Sequence, residues 1–236
     1  MNDKSISLNK YISMTGICSR RAADRMIEAG RVKINDQIAQ KGNRVEEGDA
    51  VFIDGKPLKK KPDKIYIALH KPPGITCTTD RRDKDNIIDF VKHPQRIFPI
   101  GRLDKASSGL ILLTNDGDIV NQILREENEH EKEYIVKVDR SINQRFVERM
   151  ENGLPILGTV TKKCKVEPIR KNVFRIVLTQ GLNRQIRRMC EHLDYKVITL
   201  KRIRVMNIQL DRMPVGSWRD LSSRELETLR AELDIN

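Results

Sequence analysis

The 236-residue chain is poor in aromatic residues and in long apolar stretches. Aromatic side chains make up only 4% of it, so extensive stacking surfaces for flat ligands are not expected. No stretch approaches the roughly 18 consecutive apolar residues of a membrane span, and the opening MNDKSISLNK lacks the apolar region of a signal peptide. These absences predict a cytoplasmic protein that does not enter a membrane.

The chain also lacks the short patterns that hold metals and nucleotides. It has four widely separated cysteines and no C-x-x-C pair, so we expect reduced structural thiols and no metal site: Cys18, Cys77, Cys164 and Cys190. Neither G-x-G-x-x-G nor G-x-x-x-x-G-K-[ST] occurs, so the sequence shows no binding loop for a nucleotide cofactor.

Positive charge is abundant. Lys and Arg number 45 against 33 Asp and Glu, which gives a formal net charge of +12. Such an excess favours a polyanionic partner, most commonly nucleic acid, although a basic surface can also serve solubility alone. Because aromatic residues are few, we expect recognition to depend on nucleic-acid shape and on phosphate contacts.

A proline- and lysine-rich segment divides the chain. Residues 56–64 contain two prolines and five lysines, and such a composition disfavours helices and sheets. We therefore predict a small domain over 1–56, a linker over 57–64 and a larger domain over 65–236.

The small domain contains a short amphipathic helix that Ser19 can cap and Gly30 can end. Its apolar residues gather on one side of the predicted helix. Arg20, Arg21 and Arg25 lie on the other side together with two acids. This basic face can follow a nucleic-acid backbone, or it can be an ordinary solvent face with ion pairs.

The larger domain mixes strands and helices without strict alternation. Alternating or continuous apolar runs predict strands near 65–69, 109–114, 132–139 and 173–178. Helical spacing appears over 144–152 and 183–193, and Ser222 with Glu225 forms a capping-box pattern. This order predicts an α+β fold with a mixed, mostly antiparallel central sheet flanked by helices.

The most unusual segment is GRLDKASSG at 101–109, where Asp104 lies between basic residues in a loop before a buried strand. Loops at strand ends commonly carry functional groups, and flanking cations favour an ionised carboxylate. Composition alone favours a turn-capping or ion-paired aspartate over a nucleophile.

Residues 5–55 resemble the S4 RNA-binding domain, through LNKYIS, GICSRRAADRMIEAGRVKIN and GDAVFI. This resemblance implies RNA binding and a small domain of helices and short strands.

The larger domain resembles the pseudouridine synthases through four motifs in order. These are HKPPG at 70–74, GRLDKASSGLILLTNDG at 101–117, KEY at 132–134 and GLNRQIRRM at 181–189. With the S4-like segment, the chain is identified as a member of the RsuA/RluB/RluE/RluF family of ribosomal-RNA pseudouridine synthases. Segments 130–134, 156–166 and 180–192 most resemble the F branch of that family.

The resemblance implies roles for individual residues. Asp104 becomes the catalytic carboxylate, Arg187 its ion-pair partner and Tyr134 the aromatic residue that stacks on the uracil. Without the motifs, Tyr134 would be interpreted as a core aromatic residue and Arg187 as a phosphate ligand. The residues expected to contact RNA are Arg102, Leu103, Lys105, Arg184, Gln185, Ile186 and Arg188, with Arg20, Arg21 and Arg25 in the small domain. His70 and Lys71 are expected to be structural.

The resemblance also implies the reaction. A uridine of 23S ribosomal RNA, flipped out of a stem-loop, is isomerised to pseudouridine without cofactor or metal. The alternatives are a synthase for transfer RNA or small-subunit ribosomal RNA, and a non-catalytic S4-type RNA-binding protein. We expect a monomer.

Overall fold

The computed structural model describes residues 5–58 and 61–234, which divide into two compact units. One contains the described residues up to Lys64 with Pro94–Arg96 and Asn115–Gly117. The other contains Ile65–His93, Ile97–Thr114 and the described residues from Asp118 onward. No helix in the described part of the chain has the length and apolar character that crossing a bilayer requires.

The small unit consists of two helices and short strands. Its elements are β1 (Ile6–Ser7), α1 (Leu8–Met14), α2 (Arg20–Glu28), β2 (Val32–Ile34), β3 (Gln37–Ile38), β4 (Arg44–Val45), β5 (Val51–Ile53) and β6 (Lys56–Pro57). Strands β3, β2, β5 and β6 form an antiparallel sheet in that order, and β1 pairs with β4.

The predicted amphipathic helix of the small unit is α2. The hydroxyl of Ser19 accepts a hydrogen bond from the backbone N–H of Ala22 at 3.2 Å, and Gly30 follows the helix with a φ of +68°. Ala23 and Ile27 are buried in a core shared with α1 and the strands. The cap and the apolar side predicted from the sequence are therefore confirmed.

The last strand of the small unit includes a residue that we expected in the linker. Pro57 pairs with Phe52, and Leu58 donates a backbone hydrogen bond to Val51 and packs against the core. Lys59 and Lys60, which we also expected in the linker, lie outside the described residues. The boundaries at 56 and 64 stay a prediction.

The large unit is built around a long sheet. The strands of the large unit are β7 (Tyr66–Lys71), β8 (Phe98–Pro99), β9 (Ser108–Thr114), β10 (Lys132–Val138), β11 (Pro155–Ile156), β12 (Thr159–Val160), β13 (Lys165–Arg170), β14 (Val173–Leu178), β15 (Val197–Val205), β16 (Ile208–Gln209) and β17 (Trp218–Asp220). All of them belong to the long sheet except β11 and β12, which pair with each other. The helices of the large unit are α3 (Ile87–Val91), α4 (Gly117–Leu124), α5 (Gln144–Asn152), α6 (Gln185–His192) and α7 (Ser223–Glu232), with a 3-10 turn at Glu126–Asn128.

The strand order of this sheet is β13-β14-β10-β15-β9-β7-β17, with β8 paired to β9 and β16 to β15. All its pairings are antiparallel except that of β9 with β15. Apolar cores cover both faces: Ile67 and Leu69 of β7 belong to one, whereas Tyr66 and Ala68 belong to the other. The predicted α+β fold with a mixed sheet is confirmed.

Local signals placed several helices correctly. Helix α5 covers residues 144–152 as predicted, and Ser222 forms the predicted capping box with Glu225 at the start of α7. Helix α6 buries the predicted apolar stripe, which includes Ile186 and Met189. The same helix buries Arg187, whereas the next residue, Arg188, is only partly buried.

Candidate active site

A cavity of about 520 Å³ lies in the large unit beside the short parallel pairing of β9 with β15. Its wall comes from segments far apart in the chain: the loop 100–107, strand β10, residues 178–184, the first turn of α6, and β15. Asp104, Tyr134 and Arg187 all line it. The structure therefore brings the three predicted catalytic residues to one site.

Asp104 lies in the loop between β8 and β9. The backbone N–H of Ser107 donates to the carbonyl oxygen of Asp104 at 2.9 Å and closes a tight turn. The N–H of Gly74 donates to the carbonyl oxygen of Lys105 at 2.7 Å, which ties the loop to the HKPPG segment. The side chain of Asp104 is 37% exposed, so its carboxylate is accessible from the cavity.

Arg187 approaches Asp104 from the first turn of α6. Its Nε atom lies 3.8 Å from Oδ2 of Asp104, and its Nη2 atom donates to the hydroxyl of Ser107 at 3.1 Å. Ser107 is fully buried and Arg187 is only 9% exposed. A guanidinium held this far from solvent attracts a carboxylate more strongly than a surface arginine does.

Tyr134 occupies the middle of β10, between β14 and β15. It shares one face of the strand with Lys132, and both side chains line the cavity. Glu133 points to the other face, where its carboxylate accepts hydrogen bonds from Arg204 at 2.7 Å and Arg175 at 3.2 Å. These charged hydrogen bonds fix the strand segment that presents Tyr134.

A buried lysine supports the aspartate loop from behind. Lys71 is completely buried, and burial lowers the pKa of its ammonium group, while the charge of Asp104 acts in the opposite direction. Its Nζ atom donates to three backbone carbonyl oxygens, those of Pro72, Ile75 and Lys105, at 2.9, 2.9 and 3.4 Å. The predicted structural role of Lys71 agrees with this arrangement.

Cys77 supports the same loop at Leu103. Its Sγ atom lies 3.2 Å from the carbonyl oxygen of Leu103 and 3.4 Å from the backbone nitrogen. Burial raises the pKa of the Cys77 thiol, so the neutral donor form is favoured. The loop is therefore anchored on both sides of the carboxylate.

Two sequence families match the two parts of the chain. The model described as RNA pseudouridylate synthase matches residues 65–192, more than half of the chain, and the S4 domain model matches residues 7–51. The chain belongs to the RNA pseudouridylate synthase family. As a pseudouridine synthase, it isomerises uridine to pseudouridine in RNA.

Individual relatives of this pseudouridine synthase support the same family assignment. The dual-specificity RNA pseudouridine synthase RluF of Escherichia coli strain K12 is 57% identical over 226 residues, which cover 95% of this chain and 78% of that protein. The ribosomal large subunit pseudouridine synthase B of Bacillus subtilis is 34% identical, covering 96% of each chain. A crystal structure of a pseudouridylate synthase matches with a TM-score of 0.70 and 27% identity, covering 95% of this chain and 99% of that one. The resemblance to the family and its F branch is confirmed.

Of the four basic residues of the large unit that were predicted to contact RNA, two line the synthase cavity. Arg102 and Arg184 are exposed and line it. Lys105 is exposed but pairs with Asp85 at 2.8 Å. Arg188 donates to the carbonyl oxygen of its neighbour Asn183 at 3.0 Å, and it does not line the cavity. Arg102 and Arg184 are therefore best placed to meet phosphates.

Three other residues predicted to contact RNA are buried in this synthase. Leu103 and Ile186 belong to the apolar core and present only part of their surface to the cavity. The amide of Gln185 accepts from the backbone N–H of Leu182 at 3.0 Å and donates to Gln180 at 3.2 Å. Their burial favours shaping the cavity wall over contact with exposed phosphates.

The small-domain arginines are placed as the sequence predicts. Arg20, Arg21 and Arg25 are exposed on α2, and the Nη2 atom of Arg20 lies 3.4 Å from the side-chain oxygen of Asn9. Their exposure permits phosphate contacts.

The sequence did not single out Ser107 or Arg202, which both line the synthase cavity. Ser107 is an ordinary serine in a loop, and Arg202 occurs in a strand rich in basic residues. Neither carries a local pattern that separates it from a surface residue. Among the described residues, no group of His, Cys, Asp or Glu is arranged to hold a metal ion.

Proposed function

We propose that this synthase acts on 23S ribosomal RNA and that Asp104 is its nucleophile. The observation that carries the proposal is the ion pair of Asp104 with the buried Arg187, in a cavity that Tyr134 also lines. The Bacillus subtilis relative is named as a ribosomal large subunit synthase, which supports this class of RNA. The cytoplasm is the compartment that goes with this substrate.

The reaction needs a group that exchanges one bond at C1′ for another. The C1′–N1 bond of uridine breaks, the base turns, and C1′ is joined to C5. The carboxylate of Asp104 can form a bond to C1′ and later leave, as aspartate does in other covalent mechanisms. Arg187 orients the carboxylate, and its positive charge compensates the negative charge of the carboxylate while no substrate occupies the pocket.

A stacked uridine cannot present C1′ and N1 to Asp104, so the nucleotide must leave the helix. Flipping costs a few kcal/mol, and least in a loop. In this proposal the ring of Tyr134, which lines the cavity, stacks on the flipped base, and its hydroxyl helps to remove the C5 proton. Arg102 and Arg184 bind the flanking phosphates, while the S4-like domain binds RNA beside the reacting loop.

Transfer RNA is a second proposed substrate. The Escherichia coli relative is called a dual-specificity RNA synthase, which favours action on more than one RNA. Transfer RNA presents stem-loops with unpaired bases, which suit a cavity that requires an everted uridine. We further propose that the chain acts as a monomer, since one large unit contains all three catalytic residues.

The decisive experiment compares Asp104→Asn with Asp194→Asn, an identical change at an exposed aspartate. Tritium release from RNA containing 5-tritiated uridine measures isomerisation. We expect Asp104→Asn to abolish release while RNA affinity stays within a few-fold, and Asp194→Asn to match the parent protein. An active Asp104→Asn protein would remove Asp104 from its proposed role.

The substrate is tested separately, by mapping pseudouridines in ribosomal and transfer RNA from cells with and without the gene. We expect sites in 23S RNA and in transfer RNA to disappear together. Loss of sites only in small-subunit RNA would overturn the proposed substrates and leave the chemistry intact.

A further inference from the structure

Arg202 is a buried cation for which the described part of the chain supplies no carboxylate partner. It is only 4% exposed, and it lines the cavity from β15. Its Nε atom donates to the carbonyl oxygen of Leu110 at 2.7 Å, and its Nη1 atom lies 3.5 Å from the carbonyl oxygen of Arg102. Among residues 5–58 and 61–234, no acidic side chain lies within ion-pairing distance of it.

Lys71 is a second buried cation whose partners are backbone carbonyl oxygens. Its completely buried ammonium group donates only to backbone carbonyl oxygens in the described structure. Of the three cations buried around the aspartate loop, only Arg187 forms an ion pair within the described residues, with Asp104; the other two are Lys71 and Arg202. Burying unpaired charge is strongly unfavourable, so this excess of positive charge needs a reason.

The cavity and the reaction together supply that reason. Arg202 is too deeply buried to meet the phosphates of an RNA backbone, but it faces the space that a flipped base enters. When the C1′–N1 bond breaks, its electron pair stays on the uracil, and the negative charge spreads to O2 and O4. A guanidinium is always ionised and presents several donors in a plane, which suits such an anion.

We propose that Arg202 is a catalytic residue whose guanidinium binds the detached uracil as an anion, with the buried charge of Lys71 adding to the positive potential. The inference rests on the proposed entry of the uridine into the cavity. As Asp104 bonds to C1′, N1 leaves with the electron pair, and Arg202 stabilises the ring. After rotation C5 bonds to C1′ and Asp104 is released; C5 then loses its proton and N1 gains one, so atoms and charge balance.

The test measures base binding apart from turnover. Uracil is neutral at pH 7, whereas 5-nitrouracil is an anion there, so competition of each with substrate RNA compares the two charge states. We expect the parent protein to bind 5-nitrouracil about tenfold more tightly than uracil, in line with a charge-assisted hydrogen bond. Equal affinity for the two bases would overturn the inference.

Three variants separate charge from structure. Arg202→Gln should lose the preference for the anion while uracil affinity changes little, and its single-turnover rate should fall by about 10²–10³-fold, as when an oxyanion donor is removed. Arg202→Lys should keep much of the preference, because it keeps the charge. Arg170→Gln changes an exposed arginine of β13 and should alter neither quantity.

The outcomes also separate this inference from the proposed function. If Arg202→Gln keeps the anion preference and the parent rate while Asp104→Asn is inactive, only the role of Arg202 fails. If Arg202→Gln does not fold, the comparison of the two bases on the parent protein and on Arg202→Lys still decides. If Asp104→Asn is active, the proposed nucleophile fails, whatever the result for Arg202.

Discussion

Strand β9 passes so close to β15 that a β-carbon on Gly109 would overlap the backbone carbonyl oxygen of Arg202. The two strands pair in parallel only at Lys201 with Ser108 and Arg202 with Gly109. This short contact places the guanidinium of Arg202 beneath the loop that carries Asp104, since its Nη1 atom reaches the carbonyl oxygen of Arg102. A residue without a side chain is therefore required at position 109.

Gly109→Ala should destabilise the large unit. The new methyl group meets backbone atoms that cannot rotate away, and the φ of +113° already disfavours a side chain. We expect a loss of about 2–4 kcal/mol in the free energy of unfolding, from strain and overpacking combined. Denaturant titration measures it. The control is Gly158→Ala, because Gly158 has a φ of +74° and open space around its β-carbon. Equal losses would show that close approach of the strands is unimportant.

Lys71→Met should alter the alkaline pH dependence of stability. Because burial lowers the pKa of Lys71 below its ordinary value of 10.5, folding of the parent protein opposes protonation. Its stability relative to Lys71→Met must therefore rise as the pH increases from the lowered pKa toward 10.5. Denaturant midpoints at several alkaline pH values test this. Lys165→Met, at an exposed position, should show no such trend. If the difference in denaturant midpoint between the parent and Lys71→Met is constant with pH, burial does not lower the pKa of Lys71.

Glu225→Gln should act at the opposite end of the pH scale. Hydrogen bonds from Arg219, the nearer at 2.7 Å, hold the pKa of Glu225 at about 2, below its ordinary 4.5. The stability contributed by the carboxylate is thus complete above pH 4.5 and disappears as the pH falls toward 2. At pH 7 we expect a loss of at most about 1 kcal/mol, since Gln can still complete the capping box.

Thermal unfolding at pH 7 and in acid measures this effect of Glu225→Gln. The difference from the parent should shrink as the pH drops. Glu227→Gln removes an equal charge from an exposed position of the same helix and should have little effect at either pH. A difference that persists undiminished at pH 2 would mean that ionisation of Glu225 is not its source.

Replacing Arg20, Arg21 and Arg25 by Gln should weaken RNA binding and flatten its salt dependence. Each phosphate contact releases counterions, so losing three contacts should reduce the slope of log affinity against log salt by about two units. Filter binding at several salt concentrations measures the slope. The matched control replaces three exposed arginines of the large unit: Arg145, Arg170 and Arg224. Equal slopes for the two triple variants would mean that α2 does not bind RNA.

The features that the sequence predicted depend on near neighbours in the chain. The cap by Ser19, the capping box of Ser222 with Glu225 and the bounds of α5 follow from hydrogen bonds and spacing within a few residues. The roles of Asp104, Tyr134 and Arg187 were suggested by motifs rather than by such local physics, because a charged loop residue and a strand tyrosine have ordinary structural explanations.

Only the tertiary structure decided which of these side chains meet. The hydrogen bond between Arg187 and Ser107 joins residues 80 positions apart, and that between Arg202 and Leu110 spans 92. Such contacts depend on the order of strands in the sheet and on the close parallel approach at Gly109. The composition likewise shows that the chain is basic, but it does not show which of its cations are buried. Burial depends on the packing of several elements, whereas the sequence by itself determines the local conformation of each.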